Sequence, residues 1–526
     1  MKKNLILLAF AAAVAAVVVS CSKEASNDNV VFKATAEPAA ENNKVALSGG
    51  RLLWQAGDQI SVYDASSNSA VFGLASGVGT ANAEYSHSSG ATLAAAPYSA
   101  VYPAAIRTGA TTVSLPEVQH TPDGSLTGLP MYAVSDDMEL HFYNLCGVVR
   151  FRLSASSAVS VSRIAVGTDR NTNGAATISG SGSSVSLSTP GGNNVTTLAC
   201  DVAQSVSSAR DFYMYLPAGT YSTFRILMTA ADGSLCSKTA NSSIVVERGK
   251  ITTITLSGLT FTAHRFSTSS TTSVVFAPGN LQYQASTGTW RFATNQWDCI
   301  GSANSNISSS NSGWIDLFGW GTSGWNSGAN CYQPWSTSTS YSDYYPGGSY
   351  TNNLTGAYAN ADWGVFNAIR NFGNAAGQWH TPSHADQQYI FDSRAAATVN
   401  GTANARYIHA KIGGSINGLI VFPDDYSHPA GVTQPASINV YNANYTSNNY
   451  TWIDWLQMEA AGAVFLPASG YRNGTSVYFV GSNGDYWSST CNYSSNAWNV
   501  YFYDGNFDTG SSSRRRSGYA VRLVRG

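Results

Sequence analysis

Charged residues are scarce in this 526-residue chain: Asp, Glu, Lys and Arg make up 11% of it, and the formal net charge is −2. There is no basic stripe or polybasic segment to neutralise phosphates. We therefore expect no nucleic-acid partner and no electrostatic attraction to anionic lipid. The one basic run is Arg514-Arg515-Arg516, for which we expect a solvated loop. After position 19 no stretch is apolar and long enough to span a bilayer.

Metal and catalytic patterns are also missing. None of the cysteines after Cys21 lies in a CxxC spacing, and their pairing cannot be chosen from sequence. His380 and His384 are separated by Pro382 and have no obvious third ligand, so we expect structural histidines. The segment 413–417, Gly-Gly-Ser-Ile-Asn, lacks the second glycine of a nucleophile elbow. We expect no metal, no cofactor and no catalytic residue.

The N-terminus has the pattern of an export signal over residues 1–20. Lys2-Lys3 precede an apolar run from Leu5 to Val19, and Ser20-Cys21 follows directly. Val18-Val19-Ser20-Cys21 resembles a bacterial lipobox, in which the cysteine is acylated and becomes the first mature residue. The resemblance implies lipidation of Cys21 and a flexible tether over 21–28. The alternative is an ordinary cleaved signal with a cysteine nearby.

Gly, Ser, Thr, Asn and Tyr are abundant, which suits short strands joined by turns, so we expect a mainly β protein. Residues 29–138 form one predicted unit, with turns such as Ala56-Gly57-Asp58. Residues 139–258 form a second unit, because the segment from Val149 to Leu153 alternates apolar residues with arginine, as in a half-buried strand. Cys146 precedes that alternation and is expected to be a free core residue. Two stacked β-sandwiches fit this pattern best.

Three further motifs follow the lipobox: Leu53-Trp54-Gln55-Ala56-Gly57-Asp58-Gln59-Ile60-Ser61-Val62, Leu140-His141-Phe142-Tyr143-Asn144-Leu145 and Gly249-Lys250-Ile251-Thr252-Thr253-Ile254. Together they resemble the fimbrillin family, whose members are lipid-modified precursors of surface pili in anaerobic Gram-negative bacteria. The resemblance covers residues 1–258. It implies two tandem transthyretin-like β-sandwiches and a surface-exposed lipoprotein held at the cell outer membrane by its lipid.

The same resemblance implies maturation by cleavage after a basic residue near the first strand. Lys33 and Arg51 are both candidates. Cleavage would open a groove for a donor strand from another fimbrillin subunit. Strand donation is physically sound, since it pairs a sheet edge that would otherwise stay open.

The composition changes after the second unit. Residues 259–272 are rich in Ser and Thr and are predicted to be a linker. Residues 273–526 form a third, larger predicted domain that holds most of the tryptophans and many Gly-aromatic turns. Helical periodicity over 385–391, with Thr381-Pro382 as cap and first turn, indicates an α+β domain.

The segment from Cys491 to Thr509 mixes Tyr with Ser, Asn, Asp and Gly. This is the composition of a contact surface, because tyrosine supplies amphipathic area and the small polar residues supply adaptable hydrogen bonds. From Trp498 to Tyr503 the even-numbered residues are apolar, so in a strand they face away from Asn499 and the two tyrosines. We expect the apolar face in the core and the other face on a binding surface. The alternative is an edge strand whose polar face is merely solvated.

A set of motifs spans roughly 370–526: Gly377 to Ser383, Asn417 to Asp424, Ala463 to Arg472, and Trp487-Ser488-Ser489 with Val521 to Arg525. They resemble the C-type-lectin-fold domains related to formylglycine-generating enzymes, and among these the target proteins of diversity-generating retroelements. In such proteins the terminal segment is rewritten at adenines of a template. The resemblance implies a variable segment over 491–517.

Carried over position by position, the resemblance implies scaffold roles for Trp498, Val500, Phe502 and Gly505, with the glycine in a tight turn. Cys491 departs from the pattern, either as a free thiol or as a partner for another cysteine. The implied ligand-binding residues are Asn492, Tyr493, Ser494, Asn496, Asn499, Tyr501, Tyr503, Asp504, Asn506, Phe507, Asp508 and Thr509.

Calcium-dependent sugar lectins carry Glu-Pro-Asn or Gln-Pro-Asp with Trp-Asn-Asp. Here the corresponding runs are Gln434-Pro435-Ala436 and Trp498-Asn499-Val500, which argues against metal-mediated sugar binding. We expect a surface lipoprotein adhesin, at a pilus tip or on a stalk, that binds an unknown cell-surface protein or glycan. The alternatives are a glycan-capture lipoprotein unrelated to pili and a formylglycine-type enzyme. The latter would need a cysteine pair that the spacing does not indicate.

Overall fold

The computed structural model describes residues 30–37 and 53–526. The predicted signal peptide, Cys21, the tether and Arg51 lie outside these residues. The described residues are mainly β, which confirms the predicted fold class: they form strands β1 to β35 and three short α-helices. None of the helices in the described ranges is long and apolar enough to cross a membrane.

Six strands of the first unit and β9, whose residues 139–144 were expected to open the second unit, close into a barrel in the order β1-β4-β3-β2-β5-β8-β9. The closing contact is a parallel pairing of β1 with β9, while β1 pairs antiparallel with β4 on its other side. Trp54 and Phe32 lie in the barrel core, and the predicted turn before β2 is present, with Gly57 at φ 88°. The strands are β1 Val31–Ala36, β2 Gln59–Tyr63, β3 Ser69–Ser76, β4 Asn82–Gly90, β5 Tyr98–Tyr102, β6 Thr112–Leu115, β7 Val118–Thr121, β8 Met131–Ser135 and β9 Glu139–Asn144.

The second unit packs a three-stranded sheet, β15-β10-β20, against a five-stranded sheet, β18-β17-β11-β14-β7. The predicted alternation holds in β10, where Val149, Phe151 and Leu153 are fully buried. Strands β6 and β7 pair with β12 and β14, so they join the two units. The strands are β10 Cys146–Ala155, β11 Ser160–Thr168, β12 Gly174–Ser179, β13 Ser186–Leu187, β14 Val195–Ser205, β15 Arg210–Pro217, β16 Gly219–Tyr221, β17 Phe224–Ala230, β18 Leu235–Thr239, β19 Ile244–Val246 and β20 Ile251–Leu259.

The C-terminal part combines small sheets with three helices, α1 Trp363–Phe366, α2 His384–Gln388 and α3 Trp452–Ala460. A π-helical turn at Tyr389–Ser393 continues α2. Its strands are β21 Phe266–Ser267, β22 Ser273–Phe276, β23 Leu281–Gln284, β24 Thr289–Phe292, β25 Trp314–Ile315, β26 Tyr407–Ile412, β27 Ile416–Val421, β28 Asn449–Tyr450, β29 Val464–Pro467, β30 Tyr471–Asn473, β31 Ser476–Tyr478, β32 Gly484–Asn492, β33 Asn496–Tyr503, β34 Asn506–Arg514 and β35 Val524–Arg525. Short 3-10 helices lie at Ala104–Ile106, Gly182–Ser184, Gly301–Ser305, Tyr341–Tyr344, Pro346–Gly348, Gly356–Ala361 and Tyr445–Ser447.

Helix α2 confirms the helical periodicity but begins later than predicted. Ser383, not Thr381-Pro382, caps it: the Asp386 amide donates to the Ser383 hydroxyl at 3.1 Å, and the Ser383 amide donates to the Asp386 carboxylate at 2.9 Å. This capping box satisfies two backbone donors that a helix end leaves open.

Helix α3 docks the C-terminal part onto the second unit. Arg163 of β11 and Glu459 of α3 form an ion pair at 2.8 Å, with side-chain exposures of 2% and 0%. Leu456 packs so closely on Gly167 that a Cβ there would lie 2.5 Å from its Cδ2 atom. A buried ion pair and close apolar packing fix the two parts against each other.

Candidate binding surface

Strands β32, β33 and β34 form an antiparallel sheet, here called the terminal sheet. Asp504-Gly505 joins β33 to β34, with Gly505 at φ 86°, which confirms the predicted tight turn. On one face of β33, Val500 and Phe502 are buried in the core, as predicted. The opposite face carries Asn499 and the two tyrosines, and burial differs along its length.

Three predicted contact residues are interior, which corrects their assignment. Asn499 is 0% exposed, Phe507 6% and Thr509 9%. The Phe507 ring lies 4.3 Å from the ring of Tyr407, and the Thr509 hydroxyl donates to Asp392 at 2.7 Å. These three side chains are held by the core, so the prediction that they face a ligand is wrong.

Asn499 is buried because the second face of the terminal sheet is also covered at one end. The Tyr519 ring lies 4.5 Å from the ring of Trp487, the ladder partner of Asn499. The Asn499 amide donates to the buried Asp485 carboxyl at 3.3 Å. Burial raises the pKa of Asp485 to about 8, while a hydrogen bond from Tyr519 opposes the shift, so the carboxyl is mostly neutral at pH 7.

Trp498 lies on the apolar face but is only half-buried, stacked on His384 with ring centroids 4.0 Å apart and planes 2° apart. His384 Nε2 donates to the Thr509 carbonyl at 3.1 Å, so this histidine joins α2 to β33 and β34. Burial lowers the pKa of His384. Within residues 30–37 and 53–526, no group of three His, Cys, Asp or Glu residues is arranged to hold a metal ion.

The exposed part of the predicted segment is divided between the two ends of β33. At about 3.3 Å per residue, an eight-residue strand places its ends roughly 23 Å apart. At the C-terminal end, Tyr503 is 39% exposed and its ring lies 5.4 Å from that of the half-buried Tyr501. The adjoining turn is rigid, because the Asp504 carboxylate accepts from the Tyr445 amide at 2.7 Å. We call this region the turn-end surface.

The turn-end surface also involves residues that the sequence patterns missed. Tyr478 and Phe479 are 44% and 57% exposed, and both pack on Tyr471, with ring centroids at 5.4 Å and 6.0 Å. The Asn483 side-chain amide donates to the Tyr501 hydroxyl at 3.1 Å, and the Asn483 backbone amide donates to the Phe479 carbonyl at 3.0 Å, which joins this segment to β33. Phe479 lies at φ 55°, outside any strand pattern. The sequence signal that could have indicated them is the adjacent pair of aromatic residues that ends two positions before Gly481.

At the other end, the hairpin tip presents Tyr493, which is 79% exposed. Tyr345 donates a hydrogen bond to the Ser494 carbonyl, and its ring lies 6.4 Å from those of Tyr341 and Tyr350. We call these four tyrosines, Tyr341, Tyr345, Tyr350 and Tyr493, the tip surface.

Arg515 supports the tip from below. It is 0% exposed, its guanidinium lies 4.9 Å from the Tyr345 ring, and its Nε donates to the Asn496 carbonyl at 3.0 Å. The prediction of a solvated basic loop is therefore wrong for Arg515, because its whole side chain is buried between the β32–β33 hairpin and Tyr345.

The remaining predicted contact residues lie on or near these surfaces. Ser494, Asp504 and Asp508 are exposed, and Asn492, Asn496 and Asn506 are half-buried. All six cysteines of the described part are free, so Cys491 has no disulfide partner among them, and Cys146 is buried as predicted.

A family model described as a domain of unknown function, DUF8237, matches residues 436–524, well under half of the chain. No curated protein matches. The similar solved structures include a proposed cell adhesion protein from Bacteroides ovatus, with 9% identity, TM-score 0.29, and coverage of 44% of this chain and 94% of that one.

Two fimbrial structures are also similar. The tip fimbrial protein Mfa3 from Porphyromonas gingivalis, in a C-terminally truncated form, shows 10% identity and TM-score 0.23 over 44% of this chain and 97% of that one. A fimbrial protein from Bacteroides ovatus shows 11% identity and TM-score 0.22 over 94% of this chain and 98% of that one.

Proposed function

We propose that this chain is a surface adhesin whose C-terminal part binds a protein or glycan ligand through the turn-end and tip surfaces. The observation that carries the proposal is the exposure of tyrosine at both ends of a sheet whose central side chains, such as Asn499, Val500 and Phe502, are buried in the core. Exposed aromatic clusters mark contact sites, because they add large buried area on binding at little entropic cost. The role is binding rather than catalysis.

Residues at the exposed positions of the terminal sheet can be replaced, because its buried residues hold the sheet in place. Tyr493 and Tyr503 have little contact with the core, whereas Val500, Phe502 and Phe507 fill it. Changes at the exposed positions would therefore alter the ligand without unfolding the sheet. A segment can be diversified only if its residues can change without unfolding the protein. We therefore restrict the diversified segment that the lectin-fold resemblance implies to the exposed members of the predicted set.

The fimbrillin resemblance supports a place on the cell surface, with the lipid on Cys21 as anchor and other subunits as partners by donor-strand exchange. Strand β1 lies between β4 and β9, so its removal would open a slot with a hydrogen-bonding edge on each side. Phe32 of β1 is fully buried, 4.9 Å from the ring of Phe72. A donor strand would have to supply an apolar side chain at that position.

The binding proposal is tested on a printed panel of glycans and extracellular protein domains. Tyr501→Ser/Tyr503→Ser addresses the turn-end surface and Tyr493→Ser the tip surface. The matched control is Val78→Ser/Val245→Ser, which alters exposed apolar residues of the preceding units, at 58% and 49% exposure. We expect loss of binding in at least one of the first two variants and none in the control. Equal binding by all three variants and the wild type would reject the site.

A further inference from the structure

A cavity of about 190 Å³ lies where the second unit meets the C-terminal part. Strands β7 and β14 contribute His120 and Asp201, and the opposite wall carries Arg291, Trp314 and Arg370. The volume is below the roughly 300–1,000 Å³ of pockets for drug-sized ligands, so it suits a group the size of one sugar ring. It is separate from the terminal sheet.

The cavity lining has more cationic than anionic groups, because Arg291 and Arg370 share it with one carboxylate, that of Asp201. Among residues 30–37 and 53–526, neither Arg291 nor Arg370 forms a salt bridge. Arg291 is half-buried, and the loss of solvation lowers its pKa. The carboxylates of Asp298 and Asp201 oppose this shift but do not lie within ion-pair distance of the guanidinium. A partly desolvated cation in this position favours an incoming anion.

Arg291 is also held in one orientation. Its guanidinium carbon lies 3.7 Å from the centroid of the Trp314 ring, and its Nε donates to Gln282 Oε1 at 2.9 Å. Stacking on an aromatic ring and one hydrogen bond fix the guanidinium plane, so little entropy is lost when the terminal nitrogens bind a planar carboxylate.

The rest of the lining suits hydroxyl groups. Gln284, Thr287 and Thr289 line one part of the cavity. The Thr287 hydroxyl donates to Gln284 Oε1 at 2.7 Å and to Thr289 Oγ1 at 2.9 Å, so the Thr289 hydroxyl keeps its proton for a ligand oxygen. On the other side the Asp201 carboxylate lies 3.4 Å from His120 Nδ1, and its remaining oxygen sites can accept from ligand hydroxyls. An anionic head next to hydroxyls is the chemistry of an acidic sugar.

We propose that this junction cavity binds an acidic saccharide residue, with the ligand carboxylate on Arg291 and Arg370 and its hydroxyls on the threonine and Asp201 sides. The site does not depend on the proposed ligand of the terminal sheet. Its ligand would contact both the second unit and the C-terminal part.

The test is isothermal titration calorimetry of the purified chain with sodium glucuronate, glucose and sodium sulfate. We expect glucuronate to bind and glucose not to. Charge-assisted hydrogen bonds are about twice as strong as neutral ones, so Arg291→Gln should weaken glucuronate binding about tenfold or more. Arg370 is exposed, so Arg370→Gln should weaken glucuronate binding less than Arg291→Gln does. Its effect should be larger at low salt than at high salt, because salt screens exposed charges.

Arg152→Gln is the matched control, because that arginine is 48% exposed, lies on the second unit and pairs with Asp211. It should bind glucuronate like the wild type. Equal binding of glucose and glucuronate, or unchanged glucuronate binding in both Arg291→Gln and Arg370→Gln, would overturn the proposal. Binding of sulfate without glucuronate would overturn the saccharide assignment. Arg370→Gln keeps the test valid if Arg291→Gln does not fold.

Discussion

The replacement Glu459→Gln should strongly destabilise the junction between the second unit and the C-terminal part. Glu459 is 0% exposed and accepts from Arg163 at 2.8 Å and from Gln296 Nε2 at 3.2 Å. Glutamine fills the same volume but removes the negative charge. Arg163 would then be a buried cation without its counterion.

Removing one partner of a buried ion pair costs about 3–5 kcal/mol, because the other charge stays desolvated and uncompensated. A surface pair is worth at most about 1 kcal/mol. Lys33 and Glu139 form such a pair at 3.6 Å, with side-chain exposures of 66% and 60%. Glu139→Gln is therefore the matched control, and the losses of the two variants should differ by about 2–5 kcal/mol.

Urea unfolding followed by tryptophan fluorescence reports on the junction, since Trp297 and Trp455 both lie in the buried cluster that contains Ala165 of β11. We expect an earlier transition for Glu459→Gln alone. The double replacement Arg163→Met/Glu459→Leu should recover most of the loss, because it removes both charges. If Glu459→Gln lowers the free energy of unfolding no more than Glu139→Gln does, the Arg163–Glu459 pair is not a desolvated pair that holds the junction.

Three further predictions concern the terminal sheet and the first strand. Phe507→Ala should cost about 3–5 kcal/mol of unfolding free energy and Tyr503→Ala no more than about 0.5 kcal/mol in urea titrations; similar losses would contradict the division into core and surface. Asp485 has a folded pKa of about 8, above its unfolded value, so its contribution to stability is full below pH 4 and is lost as the pH rises towards 8. Asp485→Asn should flatten that fall between pH 5 and 8.5, and an unchanged slope would contradict the burial of this carboxyl. In limited trypsin digestion, cleavage after Arg51 should occur earlier in time than cleavage after Lys33, because the Lys33 amide donates to the Met138 carbonyl at 2.9 Å and holds that residue in the sheet. N-terminal sequencing should therefore detect Leu52 as the first new N-terminus. Detection of Ala34 first would reject Arg51 as the favoured cleavage site.

Local patterns predicted the elements well. The alternation from Val149 to Leu153 specified β10 and its buried face, and Gly505 marked the turn between β33 and β34. These predictions succeeded because a strand's period and a glycine's positive φ depend on neighbouring residues alone.

Predictions that depend on distant segments succeeded less often. Period two correctly assigned Asn499 to the face opposite Val500, but it could not show that Tyr519 covers that end of the face. Phe507 and Thr509 were misjudged for the same reason, since Tyr407 and Asp392 come from other elements. The Arg163–Glu459 pair and the junction cavity join residues far apart in the chain, and no local pattern indicates them.

The most direct test of the binding proposal replaces four exposed residues and the half-buried Tyr501 together, as Tyr493→Ser, Ser494→Ala, Tyr501→Ser, Tyr503→Ser and Asp508→Ser. Binding to the same panel is then measured alongside Tm. The proposal predicts lost or altered binding with Tm changed by no more than about 2–4 °C, the shift that about 1 kcal/mol produces in a domain of this size. An unchanged set of bound ligands at wild-type affinity, with Tm also unchanged, would contradict it.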